Sequence, residues 1–254
     1  MMLSSEVMGE GISDWSRFER LTPFRVRDVL LVASHFDHYL LEESGYLAEI
    51  MQEEYSDLNL SQAPRIIHSP DARDALRLLS AREFDLVITM ARVGEMDVKA
   101  FGTEAKRVIE DLPVVMLSHN TRELATLSAG DGIDRIFVWT GDSRILLSIC
   151  KLIEDERNVE NDVRDGDVQV ILLVEDSRRF YSAYLPLLYT QLVNQTTRLM
   201  GEGGNLHEKL LRLRARAKIL LASDMNSAKS IIDRYHNNII GIFTDGKFPN
   251  QGGQ

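Results

Sequence analysis

The chain repeats itself, and the repeat limits its possible folds more than any single motif. The run DVLLVAS, Asp28 to Ser34, is matched by VQVILLVEDS, Val168 to Ser177. Both are aliphatic, with β-branched residues inside and small or acidic residues at the exit. That is the pattern of a parallel strand buried on both faces. A helical pattern follows each, HFDHYLLEESGYLAEIMQEE in the first copy and SRRFYSAYLPLLYTQLVNQTTRLM in the second. The next elements also match. PRIIHS leads into PDARDALRLLSAREFDLVITM, and AKILLAS leads into DMNSAKSIIDRYHNNIIGIFTD. Each reads as a strand, an acidic or serine cap, a short helix and another strand. This alignment sets Met90 opposite Asp245.

The first copy continues through the strand pattern DLPVVMLSHN, a short helix TRELATLSAGDG, the strand IDRIFVW and the helix SRILLSICKLIEDERN. The second copy stops after its third strand. Between them, ERNVENDVRDGD carries no apolar period after Ile153 and reads as a helix end running into a linker. The expected division is a first unit over 24–158, a linker over 159–166 and a second, incomplete unit over 167–254. A length of 254 residues suits one large or two ordinary domains. Strands alternating with helices predict an α/β fold with parallel sheets covered on both faces. In such sheets the chemistry gathers beyond the carboxyl ends of the strands.

Net charge is −10. That argues against a nucleic-acid role, which needs clustered Lys and Arg, and against anionic membrane surfaces. No apolar run approaches the ~20 residues that span a bilayer. The N-terminus MMLSSEVMGEGISDW lacks a basic start and an apolar core, so no secretory signal is expected. The single cysteine, Cys150, lies in the apolar stretch RILLSICKLI and reads as a buried, inert thiol. Together these predict a cytoplasmic chain.

The second copy places acids at its strand ends: Glu175-Asp176 after the first strand and Asp245 after the third. Adjacent strands of a doubly wound sheet would bring these tips together. Crowded carboxylates resist ionising, and a hard divalent cation such as Mg²⁺ relieves that. A carboxylate left free to react can attack a phosphoryl group. The alternative use of such acids is helix capping, and Asp176 ahead of SRRF is a plausible cap.

The arrangement resembles the receiver domain of two-component response regulators, a flavodoxin-like fold. The residues that carry the resemblance are the pair Glu175-Asp176, the acceptor position Asp245 and Pro249 four residues on. The resemblance implies that Glu175, Asp176, Asp245 and the backbone carbonyl of Lys247 bind Mg²⁺. It implies that Asp245 takes phosphate from a histidine kinase or phosphotransfer protein, and that a partner or an attached output domain reads the change. The family also uses a Ser or Thr after the fourth strand and a Lys after the fifth; in the second copy both positions would fall beyond Gln254. The distance from Asp176 to Asp245 is also longer than usual, with the extra residues around LMGEGGNLHEKLLRLRARAK.

The first copy matches the same pattern as a degenerate unit. Ala33 and Ser34 stand at the acidic-pair positions, Met90 at the acceptor, Ser118 at the switch position and Trp139 at the lysine position. A thioether takes no phosphate and is a poor Mg²⁺ ligand. This copy is therefore expected to work by contact, as a platform or a homodimer surface, with Trp139 packing over Met90. The whole also resembles the N-terminal regulatory part of proteins carrying phosphoenolpyruvate-synthase-like domains. No enzymatic activity is expected of the chain itself. The alternative is a receiver-like scaffold that is never phosphorylated; an acid-cluster phosphatase is more distant, because its second Asp is Lys247 here.

Other signals read as structural. His35 and His38 could share a helix face, but no third ligand stands at a matching spacing, so a surface or capping role is expected rather than zinc. GEGGN, Gly201 to Asn205, follows a helix and reads as a helix stop. Arg212, Arg214, Arg216 and Lys218 read as a solvated face. Phe180, Tyr181, Tyr184 and Leu188 fall at helical spacing and read as core.

Overall fold

The computed structural model describes residues 19–43, 52, 63–119, 129–130, 132–139, 141–142, 144–199 and 214–245. Among them the first unit contains β1 (Asp28–Val32), α1 (His35–Glu43), β2 (Arg65–Ser69), α2 (Ala72–Ala81), β3 (Leu86–Met90), α3 (Val98–Val108), β4 (Val114–Ser118), β5 (Arg135–Val138) and α4 (Arg144–Gly166). The second contains β6 (Val170–Val174), α5 (Arg178–Leu199), β7 (Lys218–Ala222), α6 (Met225–Tyr235) and β8 (Ile239–Thr244). The expected short helix over TRELATLSAGDG falls largely outside the described residues.

Two parallel sheets result, ordered β2-β1-β3-β4-β5 and β7-β6-β8. The first is the doubly wound flavodoxin-like order, and the three described strands of the second follow the order of its first three. The tandem flavodoxin-like fold expected from the repeat is the fold observed. The two copies also agree in register. Val32 pairs with Thr89 in one sheet, and Val174 pairs with Thr244 in the other. Asp71 caps α2 by accepting the Asp74 N–H, and Asp224 at the equivalent turn caps α6 by accepting from Asn226 and Ser227.

The segment expected to be a linker, 159–166, forms the last two turns of α4. Its inward face is polar: Glu154, Asp155, Asn158 and Asp162 are all buried. These positions recur at helical spacing beside Val159, which is buried in the apolar cluster of the second sheet, so this stretch turns acids inward alongside an aliphatic side chain. Each has a partner. Asp155 takes a two-point ion pair from Arg216 at 2.8 and 2.9 Å, together with the Tyr189 hydroxyl and the Ile219 N–H. Asp162 pairs with Lys218 at 2.8 Å and accepts the Thr22 N–H. Asn158 and Glu154 accept the Phe24 and Val26 N–H groups, strapping the segment ahead of β1 along α4. Arg216 and Lys218 are therefore buried ion-pair partners, not a solvated face; Arg212 lies outside the described residues. Burial alone would lower the Arg216 pKa, but the Asp155 carboxylate outweighs it and the net direction is up.

The sheet edges that face each other are covered reciprocally. On β5, Val138 N–H donates to Ser182 Oγ at 3.0 Å and Ile136 C=O accepts the Tyr181 hydroxyl, both from α5. On β7, Ile219 N–H donates to Asp155, and Leu221 C=O accepts the Arg135 guanidinium at 3.1 Å. Each unit thus satisfies edge groups that the other would leave bare. One apolar cluster runs through both units, from Val29, Ile88 and Phe137 to Tyr181, Leu185 and Ile219. Cys150 is buried in it, and burial pushes its thiol up to about 12, which makes it the inert thiol expected.

Candidate functional site

The carboxyl end of the second sheet gathers three acids. β6 ends at Val174, so Glu175 and Asp176 start the turn into α5; β8 ends at Thr244, so Asp245 starts the next turn. The Glu175 N–H donates to Ala222 O at 2.9 Å, and the Asp245 N–H donates to Val174 O at 3.3 Å. These bonds continue the two ladders by one residue and fix both side chains above the sheet. Carboxylate oxygens of Glu175, Asp176 and Asp245 lie within 4.8 Å of one another. Glu175 is buried, while Asp176 and Asp245 are exposed.

Burial pushes the Glu175 carboxyl above the ordinary glutamate range, and the charges of Asp245 and Asp176 push the same way. The Ser177 N–H, 2.9 Å from Glu175 Oε1, opposes this. Glu175, not Asp176, therefore holds the turn into α5. Strain of like charges is the observation that tests the fit of a cation: the donor set is all hard oxygen, and a divalent ion would offset it. Of the expected ligands, Lys247 lies outside the described residues, as does Pro249.

Glu175 and Asp245 form one wall of a cleft of about 580 Å³. Its other walls are apolar: Phe180, Tyr184, Leu187 and Leu188 from α5, and Phe243 from β8. Phe180 and Tyr184, expected in the core, are 48% and 43% exposed, and their rings stack on each other. Tyr181 is buried as expected. The difference follows from the sheet. In the first unit β4 covers the outer edge of β3, which is buried along its whole length. Among the described residues no strand lies outside β8, so Ile240, Ile242 and Phe243 are at least half exposed.

The corresponding face of the first unit has the frame without the acids. Ala33, Met90 and Ser118 are buried, and Ser34 accepts the Asp37 N–H as a helix-capping group. Trp139 packs on the cluster that contains Met90, while its ring partner is His119, edge-on at 6.2 Å. This face carries imidazoles instead: His35 and His38 on α1 and His68 on β2. His68 is the residue the sequence reading missed, since it lies thirty residues from His38 and only the β1–β2 pairing of Leu31 with His68 brings it near.

No family model matches this chain, and no curated protein matches it. Among solved structures it is similar to the signal receiver domain of an HD domain-containing protein from Pseudomonas fluorescens Pf-5. That match has 21% identity and a TM-score of 0.38, and covers 55% of this chain and 94% of the other. A response regulator receiver domain protein from Clostridium thermocellum matches at 14% identity and a TM-score of 0.41, over 53% and 99% of the two chains. A response regulator from Burkholderia pseudomallei, solved with a phosphorylated aspartic acid and a calcium ion, matches at 11% and 0.37, over 74% and 95%. At these values the fold rests on the strand order and register seen in the chain itself. No helix among the described residues is long and apolar enough to cross a membrane.

Proposed function

We propose that the second unit accepts a phosphoryl group on Asp245, with Glu175, Asp176 and Asp245 holding Mg²⁺, in signalling of the response-regulator type. The observation that carries this reading is the convergence of three carboxylates within 4.8 Å at the ends of two adjacent strands. An Asp245 oxygen attacks phosphorus, the bond from phosphorus to the donor's nitrogen or oxygen breaks, and the donor leaves with the electron pair. When bound, Mg²⁺ supplies neutralising charge for the transferred oxygens. The donor is a histidine kinase or phosphotransfer protein. Asp245 is exposed, so a donor can reach it, while its backbone stays tied to Val174.

Phe180, Tyr184 and Phe243 stand beside Asp245, so a change of charge there acts on an apolar wall that a partner or output domain could read. The first unit acts as a fixed platform, because its equivalent positions hold Ala33, Ser34 and Met90. Those same exposed apolar residues favour a second reading, a scaffold that binds its partner without phosphorylation.

Acetyl phosphate or beryllofluoride with Mg²⁺ separates the two. Signalling predicts a mass increase of one phosphoryl group and a Mg²⁺-dependent change in tryptophan emission, both lost in Asp245→Asn. A chain that stays unmodified and silent under both reagents supports the scaffold.

A further inference from the structure

The cleft of the second unit corresponds to a place that is filled in the first. The shared register allows the comparison residue by residue, since Val32 opposite Thr89 matches Val174 opposite Thr244. Leu31, Ala33, Ile88 and Met90 therefore correspond to Leu173, Glu175, Phe243 and Asp245. The first four are buried in one cluster with Ile145, Ile149 and Ile153 of α4. All four of their counterparts line the cleft. The packing of α5 leaves it open. Tyr181, Leu185 and Tyr189 turn away from β8 and are buried with Ile219 and Leu221 of β7. Phe180, Tyr184 and Leu187 line the cleft and are exposed. Among the described residues only β6, α5, β8 and the acids that follow β6 and β8 form its walls.

We propose that this cleft docks one amphipathic α-helix of a partner protein, laid as α4 is laid in the first unit. Its aliphatic face covers Phe180, Tyr184 and Phe243, and a basic residue in its first turn meets Glu175 and Asp245. The first unit shows that a helix fits this place on the frame, and an apolar groove beside a helix takes side chains at i, i+3, i+4 and i+7. The direction follows from α4. It starts at Arg144, after β5 ends at Val138, so its N-terminus lies at the carboxyl end of the sheet. A helix laid the same way over β8 brings its N-terminus to Glu175 and Asp245. The N-terminal end of a helix is positive, and carboxylates complement it. Charge also selects among occupants. A second copy carries the same acids and the same net charge of −10, so the groove favours a basic-ended partner over self-pairing.

The assignment goes beyond the phosphoacceptor reading and does not depend on it. A helix seated here would rest on the apolar wall whether or not Asp245 carries a phosphoryl group.

The test titrates the full chain into a fluorescent synthetic helix of about 16 residues, with leucine at i, i+3, i+4 and i+7 and arginine in the first turn. Anisotropy reports binding, in chelator and without any phosphoryl donor, so the outcome is independent of Asp245 phosphorylation. Saturable one-to-one binding is expected. A peptide of the same composition with its leucines dispersed around the helix should bind at least about tenfold more weakly. Tyr184→Ser and Phe243→Ser should each weaken binding by a similar factor; both residues are exposed, so the fold tolerates the change. Glutamate in place of the arginine should weaken binding, and Asp245→Asn should narrow the difference between those two peptides. The assignment is overturned by the absence of binding, by equal binding of the dispersed peptide, or by binding that survives both substitutions. It is also overturned if sedimentation shows a dimer of the chain that Tyr184→Ser or Phe243→Ser dissociates, since a second copy is then the occupant.

Discussion

Glu175 and Asp245 each stand one residue beyond a paired step, Val174 opposite Thr244, on adjacent parallel strands. Ala33 and Met90 stand one residue beyond the equivalent step, Val32 opposite Thr89. The backbone frame is therefore common to both units, and only side chains decide which of them can hold a hard cation. In the second unit the frame drives like charges together, with Glu175 3% exposed and its carboxyl raised above the ordinary range.

Glu175→Gln should stabilise the metal-free protein at neutral pH while abolishing Mg²⁺ binding. A carboxyl whose pKa is raised on folding binds its proton more tightly in the folded state. Its penalty is absent below the unfolded value and complete above the folded value, so it grows as pH rises from the usual glutamate range. The urea midpoint of the variant minus that of the wild type should be near zero at about pH 4 and positive at about pH 7.5. A difference that does not change with pH, or that falls as pH rises, would count against a strained Glu175.

Asp155→Asn should be among the most damaging single substitutions in the chain. Asp155 is fully buried and receives both Arg216 nitrogens. Neutralising it leaves a buried guanidinium without its partner, which costs about 3–5 kcal/mol. Replacing both, as Asp155→Leu with Arg216→Met, should recover only part of that loss, because the buried Ile219 N–H and Tyr189 hydroxyl also lose their acceptor. Urea denaturation followed by far-UV circular dichroism measures both, and a loss under about 1 kcal/mol for the single variant would contradict the network.

Much of this fold was legible in the sequence, and the failures share a cause. The repeated aliphatic strands and their exits declared the parallel sheets, and the acids expected to meet at the strand ends do lie together. The path of α4 past Ile153 was not legible, because the helix was sought as an apolar stripe. Its inward face past Ile153 carries Glu154, Asp155, Asn158 and Asp162 beside the lone buried aliphatic Val159, and the partners Arg216, Lys218, Thr22 and Phe24 are far away in sequence. Phe180 and Tyr184 failed in the opposite direction: helical spacing says which face is apolar, not whether anything covers it. His68 was invisible because only strand pairing places it on His38.

Ser182→Ala should cost more than its small volume change suggests. The Ser182 hydroxyl accepts the Val138 N–H on the outer edge of β5, where Val138 is buried. Without it a buried backbone donor lacks its partner, a penalty of about 1–3 kcal/mol. Because the bond joins α5 to β5, the loss should speed hydrogen exchange at the Val138 amide specifically. An unchanged exchange rate there would show that the two edges do not depend on each other.

The two third strands allow the same substitution at a covered and at an uncovered position, one residue apart in the shared register. Ile88 on β3 is 2% exposed and lies in the cluster shared by both units, whereas Ile242 on β8 is 50% exposed. Truncating a buried isoleucine to alanine costs about 2–5 kcal/mol through lost transfer energy and the cavity left behind. A half-exposed isoleucine gives up only about half of the transfer part and leaves no closed cavity, so about 1 kcal/mol is expected for Ile242→Ala. Equilibrium unfolding of the two variants should therefore differ several-fold in free energy. Equal losses would mean that β8 is covered in solution as β3 is, by part of the same molecule or by a second copy of it. Repeating the measurement at tenfold higher and lower protein concentration separates those two, since only a second copy makes the Ile242→Ala cost depend on concentration.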